Sequence, residues 1–124
     1  MELTPLVPAG RQVIERYAPS GFRITGVIWR SPVLVFPEVT TPWAVADAAA
    51  LTCDSLQPVV DHRGVQLLLL GLGSRMAPVS QQLRAALRQA GIVVEAMDTG
   101  AACRTYNVLM AEDRQIAAAL IPPA

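Results

Sequence analysis

The sequence predicts an α/β fold, built from a C-terminal βαβαβ unit with an antiparallel β meander ahead of it as an extra β layer. Three observations predict it. Short runs of β-branched and aromatic residues, punctuated by Gly and Pro, fill residues 12–36, as in a meander. Residues 65–70 are apolar at every position but Gln66, as in a strand buried on both faces. From there to residue 121, strand-like and helix-like patterns alternate, which calls for parallel strands with helical crossovers.

Taken in order, residues 1–10 read as a loose arm with two prolines and no periodicity, and residues 11–124 as one domain. Strands are expected at 12–17, at 22–29 after the Pro19-Ser20-Gly21 turn, and at 33–36 before Pro37. Residues 44–51 read two ways: their alanines favour helix, while Trp43, Val45 and Asp47 alternate like a strand. Thr52 suits the N-cap of a short helix near 53–61, which Pro58 should kink or shorten. The strand at 65–70 leads into a Gly71-Leu72-Gly73 loop. Pro78 then suits the first position of a helix, with Val79, Leu83, Ala86, Leu87 and Ala90 on its inner face and Gly91 closing it. A strand at 92–97, a helix at 101–112 with Ala102, Tyr106 and Leu109 inward, and a strand at 114–121 before Pro122-Pro123 complete the unit.

Composition excludes several function classes. The 124 residues are 52% hydrophobic and 16% charged, with ten acids balanced by ten bases, all of them Arg. Without Lys there is no P-loop lysine, Schiff base or lysine general base. One histidine, His62, and two distant cysteines, Cys53 and Cys103, make up no familiar zinc site or redox pair, so no metal and no cofactor are expected. A zero net charge without a basic run argues against nucleic acid. No apolar stretch approaches the ~18 residues that span a bilayer. The first residues lack a cationic leader, so a cytoplasmic protein with reduced thiols is expected.

Two turns carry what chemistry there is. Gly71, Gly73, Ser74 and Arg75 follow a buried strand, where open α/β sheets place ligands, and could approach an anion. A dinucleotide site would add a third glycine where Met76 stands and an acid about twenty residues on, a count that Glu95 or Asp98 meets; the simpler reading is a tight turn. Thr99, the expected N-cap, opens the second helix with Cys103, Arg104, Tyr106 and Asn107. The helix dipole and Arg104 could lower the Cys103 pKa and make it a weak candidate nucleophile; the alternative is a packed thiol. Tyr106 and Asn107 fit the satisfaction of buried backbone groups better than catalysis. His62 reads as an exposed turn residue. Glu95, if buried, would pair with an arginine such as Arg104. Phe22, Trp29 and Trp43 are either core or an exposed patch.

Four stretches resemble a known family. They are Gly21-Phe22 with Ser31-Pro32-Val33-Leu34-Val35 and Trp43; Leu69-Leu70-Gly71-Leu72-Gly73; residues 91–99; and Ala102-Cys103-Arg104-Thr105-Tyr106-Asn107 with Ala118-Ala119-Leu120-Ile121-Pro122. Over residues 13–123 the chain resembles the small Mth-type domains of unknown function, whose members include a mitochondrial complex I assembly factor and an adipogenesis-associated protein. The resemblance implies a three-layer α/β fold with a mixed central sheet, and an extended segment at 43–47. The family's usual Gly-Thr-Gly is Gly71-Leu72-Gly73 here, which removes a hydroxyl from that turn. The expected function is a non-enzymatic soluble interaction protein, resembling an assembly factor for a respiratory or other membrane-associated complex, with a protein partner. The alternative is a small-molecule or anion-binding enzyme using the crevice between the Gly71–Gly73 turn and the helix beginning near Thr99.

Overall fold

The computed structural model describes residues 9–75 and 77–124. Most of the expected N-terminal arm (residues 1–8) and Met76 lie outside the described residues.

Two sheets are present. β1 (Ile14–Ala18), β2 (Gly21–Ile24) and β3 (Val27–Trp29) form an antiparallel sheet in that order. The central sheet has the order β5-β4-β8-β6-β7, from β4 (Val33–Val35), β5 (Thr40–Pro42), β6 (Leu67–Leu72), β7 (Val93–Met97) and β8 (Ile116–Ile121). β6 pairs in parallel with β7 and β8, as crossovers through α2 (Gln81–Gln89) and α3 (Thr99–Ala111) require. β4 joins antiparallel to β8 and β5, which makes the sheet mixed.

Strand alternation divides the interior into two cores. Leu68, Leu70 and Leu72, with Ala117, Ala119 and Ile121, face Leu83 and Leu87 of α2 and Leu56 and Val59 around the short helix α1 (Gln57–His62). Leu69, Ile116, Ala118 and Leu120 face the opposite way, toward α3 and the inner face of the meander, where Ile14, Tyr17, Phe22 and Ile24 sit. Burying each large aliphatic side chain contributes roughly 1.5–3 kcal/mol, so both faces of the sheet stabilise the fold. The run of small residues Ala117-Ala118-Ala119 at the centre of β8 lets both outer layers approach.

Several expectations change in detail. Residues 22–29 are two strands, because Thr25 and Gly26 both take positive φ (46° and 80°) and make a two-residue hairpin turn. β4 leaves the meander for the central sheet. Trp43 and Val45 are buried while Ala44 and Ala46 are exposed, so this segment is extended without being paired as a strand; the alanine propensity expresses itself only in a 3₁₀ turn at Ala48–Ala50. Thr52 does cap, accepting from the Ser55 amide (3.2 Å), and Ser55 Oγ accepts in return from the Thr52 amide (3.1 Å). Pro58 falls in the first turn of α1, where no amide is missed, and does not kink it. α2 starts after Ser80, whose hydroxyl accepts from the Leu83 amide, and not at Pro78. Ala86 and Ala90 face solvent. Phe22 and Trp43 are core, and Trp43 Nε1 donates to the Ser55 carbonyl (2.8 Å), whereas Trp29 is half-buried. His62 ends α1, stacked on Phe36 with ring centroids 3.8 Å apart.

Candidate functional site

The two turns singled out in the sequence meet at one rim of the central sheet. Gly71 and Leu72 are the last residues of β6 and not a loop. A Cβ on Gly71 would lie 3.1 Å from both Thr99 Cα and Ala102 Cβ and 2.9 Å from Leu120 Cδ2. Glycine is there so that the start of α3 can lie directly on the strand. Gly73 follows with φ +103°, a conformation that favours glycine.

Thr99 ties these pieces together. Its amide donates to the Gly73 carbonyl (2.8 Å), its hydroxyl accepts from the Gly73 amide (2.8 Å), and the same hydroxyl donates to the Ile121 carbonyl (2.6 Å). β6, β8 and α3 are thus locked at a fully buried threonine. Thr99 is not the N-cap. Asp98 is, with its carboxylate accepting from the Ala101 amide (2.9 Å) and complementing the helix dipole. Ser74 and Arg75 are exposed, and Ser74 Oγ accepts from the Ala124 amide (2.7 Å).

One turn into α3, Cys103 is fully buried. Burial pushes its thiol up to about 12, against a smaller downward pull from Arg104, so desolvation outweighs the helix terminus that was expected to lower it. Arg104 is exposed, and its guanidinium donates to the Tyr17 hydroxyl (2.9 Å), which lies over Gly100. Glu95 is exposed on β7 and is not the partner of Arg104. Tyr106 donates to the Gln12 carbonyl (3.2 Å), and burial raises its pKa as well. Asn107 takes the place of a neighbouring strand: its Oδ1 accepts from the Ile14 amide (3.0 Å) and its Nδ2 donates to the Ile14 carbonyl (2.8 Å). Sequence reasoning missed Asp98, Tyr17 and the Ile121 carbonyl as parts of this joint. Asp98 alone carried a readable signal, being as good a cap residue as its neighbour.

The burial difference between the two free cysteines gives a direct test. Native protein at neutral pH should release only the exposed Cys53 to a disulfide reagent; unfolded protein should release Cys103 as well. In a Cys53→Ser background the Cys103 contribution to stability is fully present below the unfolded thiol's 9.0 and is lost as pH rises toward about 12. The loss amounts to at most about 4 kcal/mol, and Cys103→Ala should flatten that part of the pH profile. Rapid labelling of Cys103 in the native protein would contradict a closed α3 layer.

Among the described residues, no three His, Cys, Asp or Glu side chains gather in a metal-binding group, and no helix is long and apolar enough to cross a membrane.

A mixed sheet covered by α2 on one face, covered by α3 and a β meander on the other, and closed at its rim by a buried threonine defines a three-layer α/β domain. The chain belongs to the family described as proteins of unknown function DUF498/DUF598, whose model matches residues 14–121. It is 38% identical over 115 residues to an uncharacterised protein of Rhodobacter capsulatus, covering 92% of this chain and 87% of that one. It is 37% identical over 112 residues to the zebrafish (Danio rerio) protein named NADH dehydrogenase [ubiquinone] 1 alpha subcomplex assembly factor 3, covering 90% of this chain and 64% of the relative. The chain therefore spans less than two-thirds of that animal protein. The solution structure of a Bordetella pertussis Mth938-like domain superposes with a TM-score of 0.84 at 27% identity, covering 98% of this chain and 92% of that one.

Proposed function

We propose that the protein is a non-enzymatic interaction protein that assists the assembly of a membrane-associated complex, the respiratory NADH dehydrogenase being the first candidate. The observation that carries this reading is the 37% identity over 112 residues to a protein named as an assembly factor for that enzyme. The chemistry of the rim supports it. The Thr99 hydroxyl and the Asn107 amide are consumed by backbone groups of the protein itself. Cys103 is a protonated thiol at neutral pH. On this reading Gly71, Gly73, Thr99, Cys103, Tyr106 and Asn107 form a rigid internal joint, and recognition falls to the outer surface. Residues 11–124 act as one unit, since α3 packs against β6 and β8 and also against β1. Two free cysteines, one exposed and one buried, suit a reducing cytoplasm.

The test is recovery of the tagged protein at native abundance from its own cells in mild detergent, followed by mass spectrometry. Subunits of NADH dehydrogenase, or of another membrane complex, should be enriched over a tag-only control. Deletion of the gene should lower the assembled complex on a native gel. Recovery of no membrane-complex component by the intact protein would overturn the reading.

A further inference from the structure

The outer face of the β1–β3 meander carries a feature that neither the rim nor the family description accounts for. The hairpin register places Arg16 of β1 opposite Arg23 of β2, and Arg23 opposite Ile28 of β3. Arg30, one residue past the end of β3, lines the same groove. The three arginines surround a groove of about 220 Å³ whose lining includes no acid. The Ala18–Gly21 pair that also lines it carries little side chain, which leaves room for the groove. Arg23 has one anionic neighbour, Glu15, at 3.2 Å. Among the described residues, neither Arg16 nor Arg30 has an ion-pair partner. Like charges directly opposite on neighbouring strands cost stability, and here Arg16 and Arg23 stand in that arrangement on an exposed face.

Among the described residues, nothing pairs with the edge beside this groove. β1 is closed on its outer side by the Asn107 amide. β3 is the other edge of the sheet. With a two-residue turn at Thr25-Gly26, Ile24 and Val27 are the hydrogen-bonded closing pair, so Ile28 is out of phase and its N–H and C=O point away from β2. Among the described residues, no backbone group from outside the sheet bonds to Ile28. Val27 and Ile28 are also the two most exposed apolar side chains of the meander, at 55% and 65%. An open, apolar strand edge is a pairing template that proteins ordinarily blunt or cover.

From this juxtaposition we propose that β3 receives an extended, acidic segment of a partner protein. The segment adds as a fourth strand through the Ile28 backbone and carries carboxylates on its outer face toward Arg30 beside it and Arg23 one strand further in, within the positive field that Arg16 completes. Strand addition supplies affinity through the backbone and specificity through every second side chain. Arg and carboxylate match in bidentate geometry. A single small anion would satisfy the arginines but leave Ile28 bare. The groove is below the ~300–1,000 Å³ of typical small-molecule sites. A second copy of this chain would bring arginine against arginine. The inference rests on the interaction reading above and names the chemistry of the partner.

The experiment titrates amide-labelled protein with a blocked peptide alternating valine and glutamate, followed by heteronuclear NMR. The lysine counterpart and inorganic phosphate are the controls. The Ile28 and Arg30 amides should shift with the glutamate peptide alone. Affinity should fall about tenfold or more in the Arg16→Glu/Arg30→Glu variant and should weaken as salt rises. Both arginines are exposed, and an unchanged circular dichroism spectrum and melting temperature verify that the variant folds. Silent β3 amides, an equal response to the lysine peptide, or shifts reproduced by phosphate would each overturn the proposal. The same variant in the affinity experiment separates this inference from the reading it rests on. If the variant still recovers the membrane-complex components that the intact protein recovers, the groove is wrong and the assembly role stands. If the intact protein recovers none, the assembly role falls, and the peptide titration still decides the groove.

Discussion

Asn107→Ala should destabilise the protein by roughly 2–5 kcal/mol. The Asn107 side chain serves both the amide and the carbonyl of Ile14, at 3.0 and 2.8 Å, in a fully buried setting. Truncation leaves both without a partner, and each buried unpaired backbone group costs about 1–3 kcal/mol. That is a large share of a typical domain stability of about 5–15 kcal/mol. Asn107→Asp should not rescue it, since a carboxylate can accept from the Ile14 amide but meets the Ile14 carbonyl with like partial charge. Val108→Ala, one residue along and 58% exposed, should change stability by less than about 0.5 kcal/mol. Denaturant unfolding of the three variants decides the matter. A cost for Asn107→Ala equal to that of Val108→Ala would show that water readily replaces the amide.

Gly21→Ala should cost roughly 3–5 kcal/mol and loosen the hairpin between β2 and β3. A Cβ at Gly21 would stand 1.9 Å from the Trp29 carbonyl oxygen and 2.9 Å from its carbon, both backbone atoms that cannot swing aside. The residue also holds φ +134°, which for a residue with a side chain costs about 1–3 kcal/mol. Gly26→Ala is the matched comparison: φ is +80° and nothing lies within 4 Å of the added methyl. It should cost only the left-handed penalty of about 1–2 kcal/mol. The difference between the two isolates the backbone collision. Hydrogen exchange should place the lost protection in β2 and β3 for Gly21→Ala and leave α2 unchanged. Equal costs at the two glycines would refute the collision.

What could be read from the sequence follows from how local each determinant is. The apolar run at β6 and the helix–strand alternation after it depend on neighbours in the chain, so the parallel unit was legible. The break at Thr25-Gly26 was not, because apolar residues continue on both sides and Thr-Gly is a weaker turn signal than Asn-Gly. Thr99 and Asp98 are adjacent cap-forming residues, and only the bond from Asp98 to Ala101 shows which one caps. The helix-terminus rule for Cys103 was sound as electrostatics, but it lost to desolvation, which depends on packing. Asn107 and Ile14 are 93 residues apart. A buried-backbone role was the right class of guess for Asn107, yet its partner was beyond the reach of spacing. Nothing local marks Arg16, Arg23 and Arg30 as a group, since only the strand register puts them around one groove.

The order of elements also has a consequence for synthesis. β8 lies between β4 and β6 and faces both interior clusters, yet it follows every other strand in the chain. Its pairing of Leu120 with Val33 reaches back across most of the sequence. A nascent chain emerging from the ribosome can form the meander and the β4–β5 hairpin early. Until residues 116–121 leave the exit tunnel, however, the exposed flanks of β4 and β6 have no lasting neighbour. Closure is therefore a late, long-range event of high contact order, and a chain stalled before that point presents two unpaired strand edges, one on β4 and one on β6, to the cell's chaperones.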